Sequence, residues 1–219
     1  MEKFLENKPN SRKGLFITFE GGEGTGKTTQ INLLKSFLKK KKFNVITTRE
    51  PGGTPEGERV RKFLVSGKIN SWDAYSEALI FNAIRREHIN KVIKPAINNG
   101  LIVLCDRYVD STIVYQGIAG NVEQKFLLEL HSKYCYNLYP HLTFFLNLSP
   151  LKGMERVKKR VDQTENRFEN LGLNYHTKVY EGFLKLHKES PKRIINIDAD
   201  LNENLVAKSI CSHISKLII

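Results

Sequence analysis

The chain has 219 residues, 40% of them hydrophobic, and a formal net charge of +12. That is enough for one domain with a full core, but no apolar run approaches the roughly 18 residues of a membrane span. The polar, mixed-charge start lacks the apolar stretch of a signal peptide, so a cytoplasmic protein with no membrane partner is expected. Cys105, Cys135 and Cys211 form no CxxC pair and read as small core residues, not as a disulfide framework or zinc site.

Residues 1–13 read as a flexible polar tail and 14–219 as a single domain. Leu15 to Phe19, β-branched and aromatic, predicts a buried strand, and Ile31, Leu33, Leu34 and Leu38 recur at helical spacing after it. A second strand is expected over 43–47, a turn at Pro51 to Pro55, and a short helix over 58–65. Ser71 or Asp73 caps a long helix that runs to about Asn98 and stops at Gly100, with Pro95 bending its last turns. The apolar run 101–105 predicts a third strand, central in the sheet, and 142–146 a fourth. Ser149-Pro150 opens a further helix, 194–197 is a fifth strand, and a helix closes the chain. The alternation predicts an α/β fold, a five-stranded parallel sheet flanked by helices.

Between the first strand and first helix, residues 21–28 read Gly-Gly-Glu-Gly-Thr-Gly-Lys-Thr, the phosphate-binding P-loop pattern in the order strand, loop, helix. Glycines let backbone N–H groups approach phosphate oxygens, and the helix N-terminus favours the anion. Gly21, Gly22, Glu23, Gly24, Thr25, Gly26, Lys27, Thr28 and Thr29 are therefore the expected ATP-binding residues. Lys27 reaches the β- and γ-phosphates, and the Thr28 hydroxyl suits Mg²⁺. Asp106 ends the third strand, where ligands of open α/β sheets bind; it suits Mg²⁺, directly or through water, or else a surface ion pair. Arg107 adds a planar donor fork for phosphate.

Three features stay open on residue chemistry alone. The polar segment around Arg160 and Arg167 reads equally as a lid over ATP or as an exposed connection between helices. Phe81 and Arg85 share a helix face, which suits gripping a base but also a core ring beside a paired arginine. The positive charge fits a nucleic-acid binder or a cleft holding two phosphorylated substrates. Lys39 to Lys42 sit at a helix end with no aromatic interleaving, which favours substrates and no nucleic acid.

Phe19-Glu20-Gly21 before the P-loop, Thr48-Arg49-Glu50-Pro51-Gly52-Gly53, Phe81-x-Ala83-x-Arg85, Asp106-Arg107-Tyr108-x-x-Ser111 and Tyr115-Gln116-Gly117 together resemble bacterial thymidylate kinases. The resemblance runs from about residue 14 to the C-terminus. It implies the P-loop nucleoside monophosphate kinase fold, with a lid at about 158–169, and transfer of the ATP γ-phosphoryl group to dTMP, giving dTDP for dTTP synthesis. It implies that Phe81 stacks on thymine, Arg85 bonds the base, Arg61 and Arg107 hold the dTMP phosphate, and Glu50, Ser111, Thr112, Tyr115 and Gln116 line the pocket. Glu23 lies near the acceptor, a lid arginine (Arg160 or Arg167) is catalytic alongside Lys27 and Arg107, Mg²⁺ accompanies ATP, and the protein is a homodimer. Four positions depart from the family pattern, one of them Val161, which stands where lids often carry other residues. Val114 replaces a small residue, which is expected to shift the floor of the dTMP pocket; His141 replaces Asp; Asn166 precedes Arg167 where Asp is usual. Another nucleoside monophosphate kinase is the alternative within the fold, and an ATP-dependent nucleic-acid-binding protein the alternative outside it.

Overall fold

The computed structural model describes residues 14–66, 71–159 and 167–218. In chain order the elements are β1 (Leu15–Glu20), α1 (Lys27–Lys40), β2 (Val45–Arg49), α2 (Pro55–Val65), α3 (Ala74–His88), a π-turn (Ile89–Ile93), α4 (Lys94–Asn98) and β3 (Ile102–Asp106). Then come α5 (Val109–Thr112), which continues as a π-helix (Ile113–Ala119), α6 (Gln124–Tyr134), β4 (Leu142–Asn147), α7 (Pro150–Lys158), α8 (Gly172–Glu189), β5 (Ile194–Asp198) and α9 (Glu203–Ile218). The strands form one parallel sheet in the order β2-β3-β1-β4-β5.

The central strands β1, β3 and β4 read as largely apolar runs because both faces of the sheet are covered there. Phe16, Val103, Cys105 and Phe145 point into one core, with Phe183 of α8 and Ile93 of the π-turn. Their neighbours Ile17, Phe19, Leu104 and Phe144 point into the other, with Leu34 of α1 and Ile210 of α9. From β1 the chain crosses to β2 and β3 on one side and to β4 and β5 on the other. The reversal puts a crevice at the carboxyl end of β1, where the P-loop begins.

Several boundaries differ from expectation for visible reasons. β2 and β3 lie later than 43–47 and 101–105 because their register carries the pairing on to Arg49↔Asp106. α2 begins before 58 because the Thr54 hydroxyl accepts from Gly57 N at 3.0 Å and Pro55 takes the first turn. Asp73, not Ser71, caps α3, accepting from Ser76 N at 3.0 Å. The long helix does run to Asn98, but it adjusts before Pro95 through the π-turn, where Lys94 N–H donates to Ile89 O. Ser149 precedes α7 as expected, though its side chain makes no capping bond. The helices over 109–119 and 124–134 were not anticipated singly. The first is buried on nearly every side, so it has no polar face to give a period.

Candidate active site

Two clefts open at the carboxyl ends of the strands. The first is lined by Glu23 to Thr29, with Thr47 to Glu50 and Asp106 opposite. Gly24 packs backbone to backbone on Gly153 of α7. A Cβ at either glycine would collide with the other segment's backbone, so the loop has no spare room there. Lys27 is buried and folds back on its own loop, donating to Gly21 O at 3.2 Å and Gly22 O at 2.8 Å. Burial, with Arg107 nearby, pushes the Lys27 ammonium down to about 8. Thr28 Oγ1 donates to Asp106 Oδ2 at 3.0 Å, so a hydroxyl and a carboxylate stand together at the cleft floor.

The second cleft is smaller and more apolar. Phe81, Ile84, Val65, Tyr108 and Phe168 supply its ring and aliphatic walls, and Glu50, Arg85, Thr112 and Gln116 its polar groups. Arg85 is buried, donating through Nε to Glu50 Oε2 at 2.7 Å and through Nη2 to Thr112 Oγ1 at 2.8 Å. Its Nη1 is buried with no hydrogen-bond partner. Glu50 Oε1 also meets His88 Nδ1 at 2.9 Å. Burial works against the charge on Glu50, but Arg85 and His88 outweigh it and hold the carboxyl below its usual range.

Glu23, Glu50, Arg61, Arg107 and Glu169 line both clefts and so mark their junction. Arg107 takes a left-handed backbone conformation (φ 67°), uncommon for a residue with a side chain. This turn aims its guanidinium back across the junction. Nη1 donates to Gly21 O at 2.9 Å and to Ser111 Oγ at 3.2 Å, while Nη2 pairs with Glu23 Oε1 at 2.7 Å. Tyr115 OH donates to the same Glu23 oxygen at 3.0 Å. Burial opposes the Glu23 charge, yet Arg107 and Lys27 prevail and hold it at about 2. A polar cleft on a P-loop and a more apolar pocket that share charged groups suit transfer between a polyphosphate and a second phosphorylated molecule.

A family model for thymidylate kinase matches residues 19–210. A thymidylate kinase of Magnetococcus marinus is 44% identical over 198 residues, 90% of this chain and 94% of that protein. One from Geobacillus is 42% identical over 187 residues, 85% of this chain and 89% of that one. The chain belongs to the thymidylate kinase family. The crystal structure of a thymidylate kinase from Ehrlichia chaffeensis superposes with a TM-score of 0.75 at 33% identity, covering 92% of this chain and 99% of that one. The kinase is thus a P-loop nucleoside monophosphate kinase in fold, and it phosphorylates dTMP with ATP as donor.

All nine residues expected at dTMP line the second cleft. Glu23 to Thr29 line the first, whereas Gly21 and Gly22 stand behind it and offer their carbonyls to Lys27. Arg160, Val161 and Asn166 lie outside the described residues, as do residues 1–13. Arg167 is described, and it does not face the donor cleft. It is buried against Glu77 and donates to Leu64 O at 2.7 Å. Val114, expected to shift the floor of the dTMP pocket, does not line the second cleft; it is fully buried and packs towards Gly182 of α8. His141, where the resemblance leads one to expect Asp, accepts from Phe16 N through its Nδ1 at 2.9 Å. No helix among the described residues is long and apolar enough to cross a membrane.

Sequence reasoning passed over three supporting residues of the kinase. Glu20 accepts from Tyr108 N at 2.7 Å and from Ser111 Oγ at 2.6 Å, fixing the turn that carries Arg107. Burial, with the charge of Asp110, pushes its carboxyl up to about 8. A carboxylate ending an apolar strand was its signal. Glu77 and His88 were legible in spacing, since 77, 81, 85 and 88 share one face of α3.

Proposed function

We propose that Arg85 reads the base of dTMP, and the observation that carries this is its place in the lining of the pocket beside Phe81 with one guanidinium nitrogen, Nη1, unpartnered. Thymine offers the O4 acceptor where cytosine carries an amino donor, and a guanidinium only donates. Phe81 stacks on the ring. Arg61 and Arg107, at the junction, hold the acceptor phosphate in line with the transferring group. Lys27 leaves the Gly21 and Gly22 carbonyls for the β- and γ-phosphates of ATP. Glu23 holds Arg107 and Tyr115 in place beside the acceptor.

Thr28 and Asp106 fit Mg²⁺, because both are hard oxygen donors 3.0 Å apart at the donor cleft. When bound with ATP, that ion neutralises charge on the β- and γ-phosphate oxygens. We assign to the segment 158–169 a lid that excludes water and brings an arginine to the transferring group. The engagement of Arg167 with Glu77 favours Arg160 for that role.

We also assign the whole of 14–219 to one domain, the cytoplasm as its place of work, and a homodimer as its assembly. Free Cys105, Cys135 and Cys211 suit a reducing compartment. The packed helices α3 and α6 leave Tyr75, Leu79 and Leu128 exposed, which suits a self-association face. Sedimentation of wild type and Leu79→Glu checks this, with the variant expected as a monomer.

The deciding experiment measures kcat/KM for dTMP, dUMP and dCMP. Polar matching of this kind rejects the wrong partner by ~10⁴-fold, so dCMP should be the poor substrate. Loss of one methyl in dUMP should cost only ~1–3 kcal/mol. Comparable values for dTMP and dCMP would remove the Arg85 assignment.

A further inference from the structure

Glu77 lies in the first turn of α3 and is 5% exposed, outside every role assigned above. Its two oxygens serve two different elements. Oε2 accepts from Gln116 Nε2 at 2.8 Å, and Oε1 pairs with the Arg167 guanidinium. Arg167 backbone N–H donates to Val65 O at 3.1 Å. The next residue, Phe168, lines the dTMP cleft and stands edge-on to Tyr115, ring centroids 6.0 Å apart.

A carboxylate accepts and cannot donate. Glu77 therefore decides which end of the Gln116 amide it holds. The nitrogen is taken, and the carbonyl oxygen is the end left for a ligand in the cleft. An acceptor there, with the Arg85 donor on the same pocket wall, matches a pyrimidine that carries a ring N–H beside a carbonyl oxygen. It opposes cytosine, whose ring N3 accepts and whose exocyclic nitrogen donates.

We propose that Glu77 is a positioning residue for pyrimidine discrimination: it locks the Gln116 amide oxygen-first toward the base and, through Arg167, seats Phe168 as a wall of the same pocket. This rests on the acceptor-site reading given above. Glu77→Gln keeps the shape but donates as well as accepts, so Gln116 gains freedom to turn over.

The test is the dTMP:dCMP ratio of kcat/KM in wild type, Glu77→Gln, Glu77→Asp, Gln116→Ala and the Glu77→Gln/Gln116→Ala pair, with melting curves for each. The ratio should fall about tenfold or more in Glu77→Gln, carried by KM and not kcat. Glu77→Asp, still acceptor-only, should stay nearer wild type. Gln116→Ala should lose the ratio by itself, and the double variant should be no worse than Gln116→Ala. A Glu77→Gln enzyme with a lower melting point and an unchanged ratio overturns the proposal, as does an unchanged ratio in Gln116→Ala or additive losses in the pair. Wild type without discrimination overturns the acceptor reading and this inference together; discrimination in wild type that survives in Glu77→Gln overturns this inference alone.

Discussion

The two clefts are built on different principles. The cleft proposed for the donor is built on a loop of backbone, and that loop's one long cation, Lys27, rests on carbonyls five and six residues away in sequence. The acceptor cleft is a lattice of side chains, in which Arg85 meets Glu50 across 35 residues, His88 meets Glu50 across 38, and Gln116 meets Glu77 across 39. The first is polar and built largely on backbone, as the phosphate-binding role proposed for it requires. The second is long-range and buried, as the proposed pocket for a flat base requires. Activity and stability should therefore separate between them.

The largest expected effect tests the lattice. Arg85→Ala leaves Glu50 buried without its main partner, and the cost should be about 3–5 kcal/mol of stability. Denaturant unfolding with and without dTMP measures it, and a loss below ~1 kcal/mol would mean the lattice is not holding the fold. The donor cleft should answer in the opposite way. Lys27→Ala should lower kcat by roughly 10²-fold or more while unfolding at nearly the same denaturant concentration as wild type. An unfolded Lys27→Ala protein would break the contrast.

Smaller effects sharpen it. Phe81→Ala should weaken dTMP and dUMP alike by ~1–3 kcal/mol, since stacking does not distinguish them. A change in their ratio would show that Phe81 also reads the methyl group. The pH profile isolates Lys27. Its ammonium is held down at about 8, so the charged form is lost as pH rises through that value. kcat/KM for ATP should then fall toward tenfold per pH unit above about 8. ATP phosphates favour the ammonium, so the limb in kcat should lie at higher pH. A flat profile to pH 10 in kcat/KM would remove Lys27 from phosphate binding.

What was legible in the sequence follows the same division. Residues 21–29 form the loop and helix start at the first cleft in one stretch, so spacing alone exposes that part of it. The sheet was legible because the three central strands are buried on both faces and read as apolar runs; Val45 to Arg49 differs from its expected limits because an edge strand takes its limits from its partner. In the acceptor cleft, Phe81 and Arg85 showed as a shared helix face, but their purpose depended on Glu50 and Thr112. No local pattern states which distant carboxylate an arginine will meet. Arg167 illustrates the limit: its composition suits a phosphate-facing lid, and only the fold reveals Glu77 opposite it.

The direct packing of Gly24 on Gly153 has a consequence for what counts as the phosphate-binding motif. Gly153 lies in a helix, far along the chain, and belongs to no consensus read from residues 21–28. Even a methyl group there would press on the loop at the Glu23 carbonyl. In effect the loop's shape is written twice, once in its own glycines and once in the single small residue that leaves a dent in the helix beneath it.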